Sequence, residues 1–163
     1  LKSLEALKEG PIAINDSKFE LENYLPYRLV KLAKKIADAG NAEFAAPFNV
    51  SLAEWRILAT IGQAGTISSR GLPDRTFMDK SKVSRALIKL ETKKLIAREQ
   101  NNEDNRSALL KFTPRGVELY NMLVRLAQEW ETNLLSVFNE EERATFIENL
   151  AKLDDKIRKS DPE

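Results

Sequence analysis

The chain has 163 residues, with 26 Lys or Arg against 25 Asp or Glu, and it contains neither cysteine nor histidine. Disulfides, thiol redox sensing and thiolate metal sites are thereby excluded, and the commonest general base and transition-metal ligand is missing. That length suits one domain, or a compact body with one appended lobe, and it can bury roughly 70% of its unfolded surface.

No apolar run reaches the length of a membrane span, and no signal peptide is visible in a chain that starts at Leu1. The expectation is a cytoplasmic protein without a cofactor. The net charge of +1 hides an asymmetry. Residues 70–115 hold twelve Lys or Arg against six Asp or Glu, a net of +6 that leaves −5 for the rest. A basic middle between acidic ends points to a polyanionic partner.

Residues 1–17 read as an arm, in which Gly10-Pro11 breaks a short amphipathic piece carrying Leu4 and Leu7. Phe19 to Ala39 is expected to form a first helix about 30 Å long, with Leu21, Leu25, Leu29, Leu32, Ala33 and Ile36 as its apolar positions. Pro26 is tolerated where the helix begins, and Gly40-Asn41 is read as the stop. After a connector, Ser51 and Glu54 form a capping box for a second helix, Leu52 to Ile61. Gly62 to Gly65 reads as a turn, and Ser68 or Ser69 caps a short third helix ending near Phe77.

The fourth helix organises the chain. Asp79 or Ser81 supplies its N-cap, and Val83, Ala86, Leu87 and Leu90 recur at helical spacing as a stripe for the core. Lys82, Arg85, Lys89 and Lys93 fall within an arc of roughly 80° at helical pitch. An opening turn of Ser, Lys, Ser and Arg beside a basic flank suits the DNA major groove, where hydroxyls and cations reach phosphates and base edges. The plain alternative is a solvated lysine face. Its neighbours favour DNA, because a second helix, a short third helix, a turn and a basic helix make a helix-turn-helix.

Ile96 to Gln100 and Ser107 to Thr113 read as two strands, the second alternating Ala108, Leu110 and Phe112 with Ser107, Leu109 and Lys111. Placed after a recognition helix, such a hairpin is a wing. Arg106 near its tip suits a narrow minor groove, with Asp104 to orient the guanidinium. The other reading is an ordinary solvated hairpin tip. Thr113-Pro114 opens a fifth helix, in which Val117 to Phe138 carries Tyr120, Leu123, Val124, Ala127, Trp130, Leu134 and Leu135, too much apolar surface for a monomer's outer helix. Asn139 and three glutamates start a last helix whose buried face is expected to be Phe146, Ile147, Leu150, Leu153 and Ile157.

In this order the chain resembles the MarR family of transcriptional regulators over nearly its full length. The resemblance rests on Leu52-Ala-Glu-Trp-Arg-Ile-Leu, on Met78-Asp-Lys-Ser-Lys-Val-Ser-Arg, on Asp104-Asn-Arg106 and on Phe112-Thr-Pro-Arg-Gly116. It implies a mainly α fold with a small β-hairpin wing. Residues 1–50 would serve dimerisation, 51–113 would form the winged helix-turn-helix DNA-binding lobe, and 114–163 would complete the helical dimerisation body. It also implies a homodimer gripping a palindromic double-stranded operator, with recognition helices in successive major grooves roughly 10 base pairs apart. Lys80, Ser81, Lys82, Ser84 and Arg85 align with the family's groove-reading turn, Lys89 lies on the same basic flank, and Asp104 and Arg106 align with its wing pair. Gly71 and Pro73 depart from the family pattern, so the third helix is expected to start late or distorted, which would disturb contacts from Ser69 and Arg70.

Family members are often repressors released by small aromatic or anionic compounds. On that resemblance Tyr24, Arg28 and Trp55 are candidate effector residues, with Arg28 as a carboxylate anchor. The competing readings are an intrachain ion pair for Arg28 and a core position for Trp55. Two other classes stand beside the regulator. An enzyme would have to work without His or Cys, and no Gly-rich phosphate loop or metal-spaced acidic cluster is present. The remaining alternative is a helical dimeric adaptor that binds protein rather than DNA.

Overall fold

The computed structural model describes residues 19–100 and 108–159. The arm with Leu4 and Leu7, and the wing-tip pair Asp104 and Arg106, lie outside the described residues. The chain divides into two compact units, residues 1–35 and 36–163.

In the first unit a short 3-10 turn, Leu21–Asn23, precedes helix α1, Leu25–Gly40, which runs on into the second unit. The helix begins six residues later than the apolar spacing suggests. Pro26 is the reason, since its ring and missing N–H suit only the first turn. Lys31 Nζ lies 2.6 Å from Glu22 Oε2. Tyr24 packs on Phe19 with ring centroids 5.4 Å apart.

Gly40-Asn41 does not stop the backbone. Gly40 is right-handed helical, and the chain continues as a π turn, Asn41–Ala45, and a 3-10 turn, Ala46–Phe48, before Asn49 turns left-handed. Gly40 serves close approach instead. A Cβ there would lie 3.2 Å from both Phe44 and Trp130.

Ser51 then starts α2, Leu52–Ala64, with the expected capping box. The helix runs through Gly62 to a C-cap at Gly65, whose φ is 72°. Gly62 is a contact point, not a turn residue, because a Cβ there would meet the Tyr120 ring at 2.1 Å. Strand β1, Ile67–Ser68, follows; its two residues escaped the sequence reading. Ser68 caps a 3-10 turn, Ser69–Gly71, and α3 is only Leu72–Thr76. The late start expected from Gly71 and Pro73 is thus found, and Phe77 ends α3 in the left-handed region.

Asp79 caps α4, Lys80–Thr92. Strands β2, Ile96–Gln100, and β3, Ala108–Phe112, pair antiparallel with Ile96 opposite Phe112 and Gln100 opposite Ala108. Strand β1 adds to the other edge of β3 through Ile67–Leu110 and Ser68–Leu109, giving the order β1-β3-β2. Thr113, accepting from the Gly116 amide, caps α5, Pro114–Leu135, and Asn139 with Glu142 forms the capping box of α6, Glu140–Arg158.

Within residues 36–163 the core joins these elements. Ile57, Leu58 and Ile61 from α2, Leu72 from α3, Leu90 from α4, Leu110 from β3 and Leu123 from α5 are fully buried. Each such aliphatic chain contributes about 1.5–3 kcal/mol on burial. Gly116 lets α5 close on the hairpin, since a Cβ there would stand 1.9 Å from the Leu95 carbonyl oxygen. One expectation fails. No residue of α6 is buried in the single chain, and Phe146, Ile147, Leu150, Leu153 and Ile157 are all exposed.

Candidate nucleic-acid interface

The two faces of α4 are separated as its spacing requires. Val83, Ala86, Leu87 and Leu90 are buried, while Lys80, Ser81, Lys82, Ser84, Arg85 and Lys89 are exposed. The opening turn is ordered by its own side chains. Asp79 Oδ1 accepts from the Lys82 amide at 2.7 Å and from the Ser81 hydroxyl at 2.7 Å. Arg85 Nη2 donates to Ser81 Oγ at 3.4 Å, which lays the guanidinium along the helix toward its start. The Ser81 hydroxyl and the Lys82 amide hold the Asp79 carboxyl below its ordinary value, so the cap stays ionised and acts as an acceptor at neutral pH.

Two grooves flank the helix. In one, Lys82, Arg85 and Lys89 stand together beside Ser51 and Ala53 of the α2 start. In the other, Lys80 and Ser84 meet Ser69, Arg70 and Pro73 from the α3 side and Arg98 from β2. Ser69 and Arg70 therefore do join the helix despite the distorted start of α3. Ser69 Oγ also accepts from the Ala108 amide at 3.3 Å, tying that turn to the wing. Arg98 was missed by sequence reasoning. Its place comes from strand pairing opposite Leu110 and from an ion pair with Glu91, neither of which is visible in local sequence.

Lys93 leaves the basic face. Its ammonium sits 2.5 Å from Glu54 Oε1 and 2.5 Å from the Asn49 carbonyl oxygen. Glu54 is buried, so a carboxylate inside the fold has claimed this cation. Burial raises the Glu54 pKa, but hydrogen bonds from Lys93, the Ser51 hydroxyl and the Ser51 amide outweigh it and hold the carboxyl below its ordinary value. Exposed cations remain at Lys80, Lys82, Arg85 and Lys89 along this helix, with Lys94 beyond its end.

Trp55, on α2 next to Glu54, belongs to an aromatic chain inside residues 36–163. It packs edge-on against Phe44 at 5.3 Å and stacks with Tyr120 at 6.4 Å, and Tyr120 stacks on Phe112 at 5.1 Å. A cavity of about 440 Å³ opens between α2 and α5, walled by Phe44, Trp55, Tyr120 and Trp130, with Gln63, Gln128 and Glu131 as its polar groups. Trp55 is half-buried: it both packs on the core and lines this cavity. Tyr24 and Arg28 belong to residues 1–35, a unit described by itself.

Among the described residues no cluster of acidic side chains could hold a metal ion, and no helix is long and apolar enough to cross a membrane.

A short helix packed before an exposed basic helix, followed by an antiparallel hairpin whose second strand pairs back to β1, defines a winged helix-turn-helix protein. The MarR family model matches residues 50–108, from the residue before the α2 cap to the first residue of β3. The chain is 28% identical over 115 residues to the uncharacterized HTH-type transcriptional regulator YdgJ of Bacillus subtilis, covering 71% of this chain and 70% of that one. It superposes on a mutant MarR from E. coli, solved in complex with operator DNA, with a TM-score of 0.73 at 25% identity, over 83% of this chain and 99% of that one. A MarR-family regulator from Silicibacter pomeroyi gives a TM-score of 0.66 at 25% identity, over 82% and 90%. The likeness to the MarR family is thus carried by residues 50–108 in sequence and by the superposed MarR-family structures in fold.

Proposed function

We propose that this chain is a transcriptional regulator that binds operator DNA as a homodimer and represses until a small aromatic molecule enters the cavity between α2 and α5. The observation that carries the DNA reading is the division of α4, whose apolar stripe is buried while Lys80, Ser81, Lys82, Ser84, Arg85 and Lys89 are exposed around an ordered first turn. The likeness to a MarR protein solved on operator DNA supports it. Asp104 and Arg106 join the set as wing residues on the sequence resemblance.

Dimerisation is supported by α6, where five large apolar side chains stand 38–65% exposed and none is buried. A monomer leaving such a stripe in water gains nothing from it, and a second copy offers the same stripe in return. Two-fold symmetry in the protein then calls for a palindromic operator. The effector reading is supported by the aromatic cavity, which is large enough for a bicyclic molecule. Trp55 is its proposed contact; Tyr24 and Arg28, which lie in residues 1–35, are effector candidates on the family resemblance alone and are not part of this cavity.

The test is binding of the purified chain to its own upstream DNA, with mass measured by light scattering. The reading requires a dimer, and it requires that Leu150→Glu yield monomers with weakened DNA binding. A tight-binding monomer would overturn the dimer, and absence of binding at any salt would favour a helical adaptor.

A further inference from the structure

We propose that the cavity between α2 and α5 selects a planar organic cation, and that its aromatic walls together with Glu131 set this preference; the inference rests on the reading of that cavity as an effector site. Its walls are the rings of Phe44, Trp55, Tyr120 and Trp130. Ring faces carry negative electrostatic potential and attract a cation, an effect worth more as water is removed.

The polar groups point the same way. Among the described residues Glu131 is the one charged member of the lining, which otherwise offers only the Gln63 and Gln128 amides and no Lys or Arg. Glu131 makes no hydrogen bond or ion pair among the described residues, so its charge is not already spoken for.

Two sources of negative potential therefore meet in one aromatic cavity: ring faces and a carboxylate. An aromatic carboxylate would face both without a cation from the lining. The anionic effector expected from the family resemblance is disfavoured here, and an aromatic frame bearing a fixed positive charge is favoured.

The test uses three planar bicyclic probes of one size: N-methylquinolinium, neutral quinoline and quinoline-2-carboxylate. Each is titrated calorimetrically into the intact chain at neutral pH. The cation should bind about tenfold more tightly than the carboxylate, the combined effect of ring faces and one partly solvated charge. Glu131→Gln should reduce that ratio about threefold while leaving the affinity for quinoline unchanged, and the side chain is exposed, so the fold should tolerate the change. Trp55→Ala should weaken all three probes, which locates them in this cavity.

Equal or tighter binding of the carboxylate, a ratio that ignores Glu131→Gln, or no binding of any probe would overturn the proposal. Repeating the titrations on the protein–DNA complex separates the two readings. A cation that binds without releasing DNA keeps the charge preference and overturns the effector role. Release by the carboxylate alone keeps the effector role and overturns the charge preference.

Discussion

Lys93 at the end of α4 is bonded through its ammonium to the buried carboxylate of Glu54 at the start of α2, 2.5 Å away and 39 residues earlier in sequence. The same ammonium caps the Asn49 carbonyl oxygen in the left-handed turn that precedes α2. One side chain thus ties the helix that carries the proposed DNA contacts to the helix that carries Trp55. Removing it leaves a 2%-exposed carboxylate with Ser51 alone as donor. Lys93→Met should destabilise the chain by about 1–3 kcal/mol in urea unfolding. The loss should be partly recovered in Lys93→Met with Glu54→Gln, which no longer buries an uncompensated charge. An unchanged midpoint for the single variant would show that the pair contributes nothing.

Glu54 also sets a pH dependence. Its folded pKa lies below the ordinary 4.5, so the unfolded chain binds the proton more readily. The stabilisation from this group is complete above about pH 4.5 and is lost as pH falls through the lower, folded value. The stability gap between the parent chain and Glu54→Gln should therefore shrink as the pH is taken progressively below the ordinary 4.5. A constant gap across those conditions would contradict the assignment.

Gly116→Ala places a methyl group 1.9 Å from the Leu95 carbonyl oxygen, a backbone atom that cannot swing aside. The same carbonyl accepts from the Thr113 amide at 3.1 Å, so both the hairpin end and the α5 cap would shift. The cost should be at least the roughly 1–3 kcal/mol typical of overpacking, read as a lower melting temperature. Unchanged melting would mean that α5 can slide without penalty.

Phe77 is 93% exposed with φ 51°. A non-glycine residue pays about 1–2 kcal/mol for that left-handed conformation, and an exposed ring recovers nothing by burial. Phe77→Gly should stabilise the chain by about 0.5–1 kcal/mol after allowing for the greater freedom of glycine when unfolded. A loss of stability would show that the ring packs usefully after all.

What could be read in advance follows from range. The caps at Ser51, Asp79, Thr113 and Asn139 were legible because each is a side chain bonding an amide three residues on. The stripe of α4 was legible because helical periodicity is local. Long-range facts were not. The roles of Gly40 and Gly62 depend on Trp130 and Tyr120, and β1 exists only because Leu109 and Leu110 pair with it. Lys93 looked like a fourth member of the basic face because its partner, Glu54, already had a local role as a capping residue. The stripe of α6 was read correctly as apolar, but burial in one chain is a tertiary property that periodicity does not supply.

The most direct test of the central claim is the salt dependence of operator binding for the parent chain and for Lys89→Ala. Lys89 is exposed on the flank shared with Lys82 and Arg85. If α4 lies against DNA, the logarithm of the binding constant should fall steeply and linearly with the logarithm of salt concentration, and the variant's slope should be shallower by about one unit per protomer. A parent slope near zero, or identical slopes for the two proteins, would contradict a DNA-facing α4.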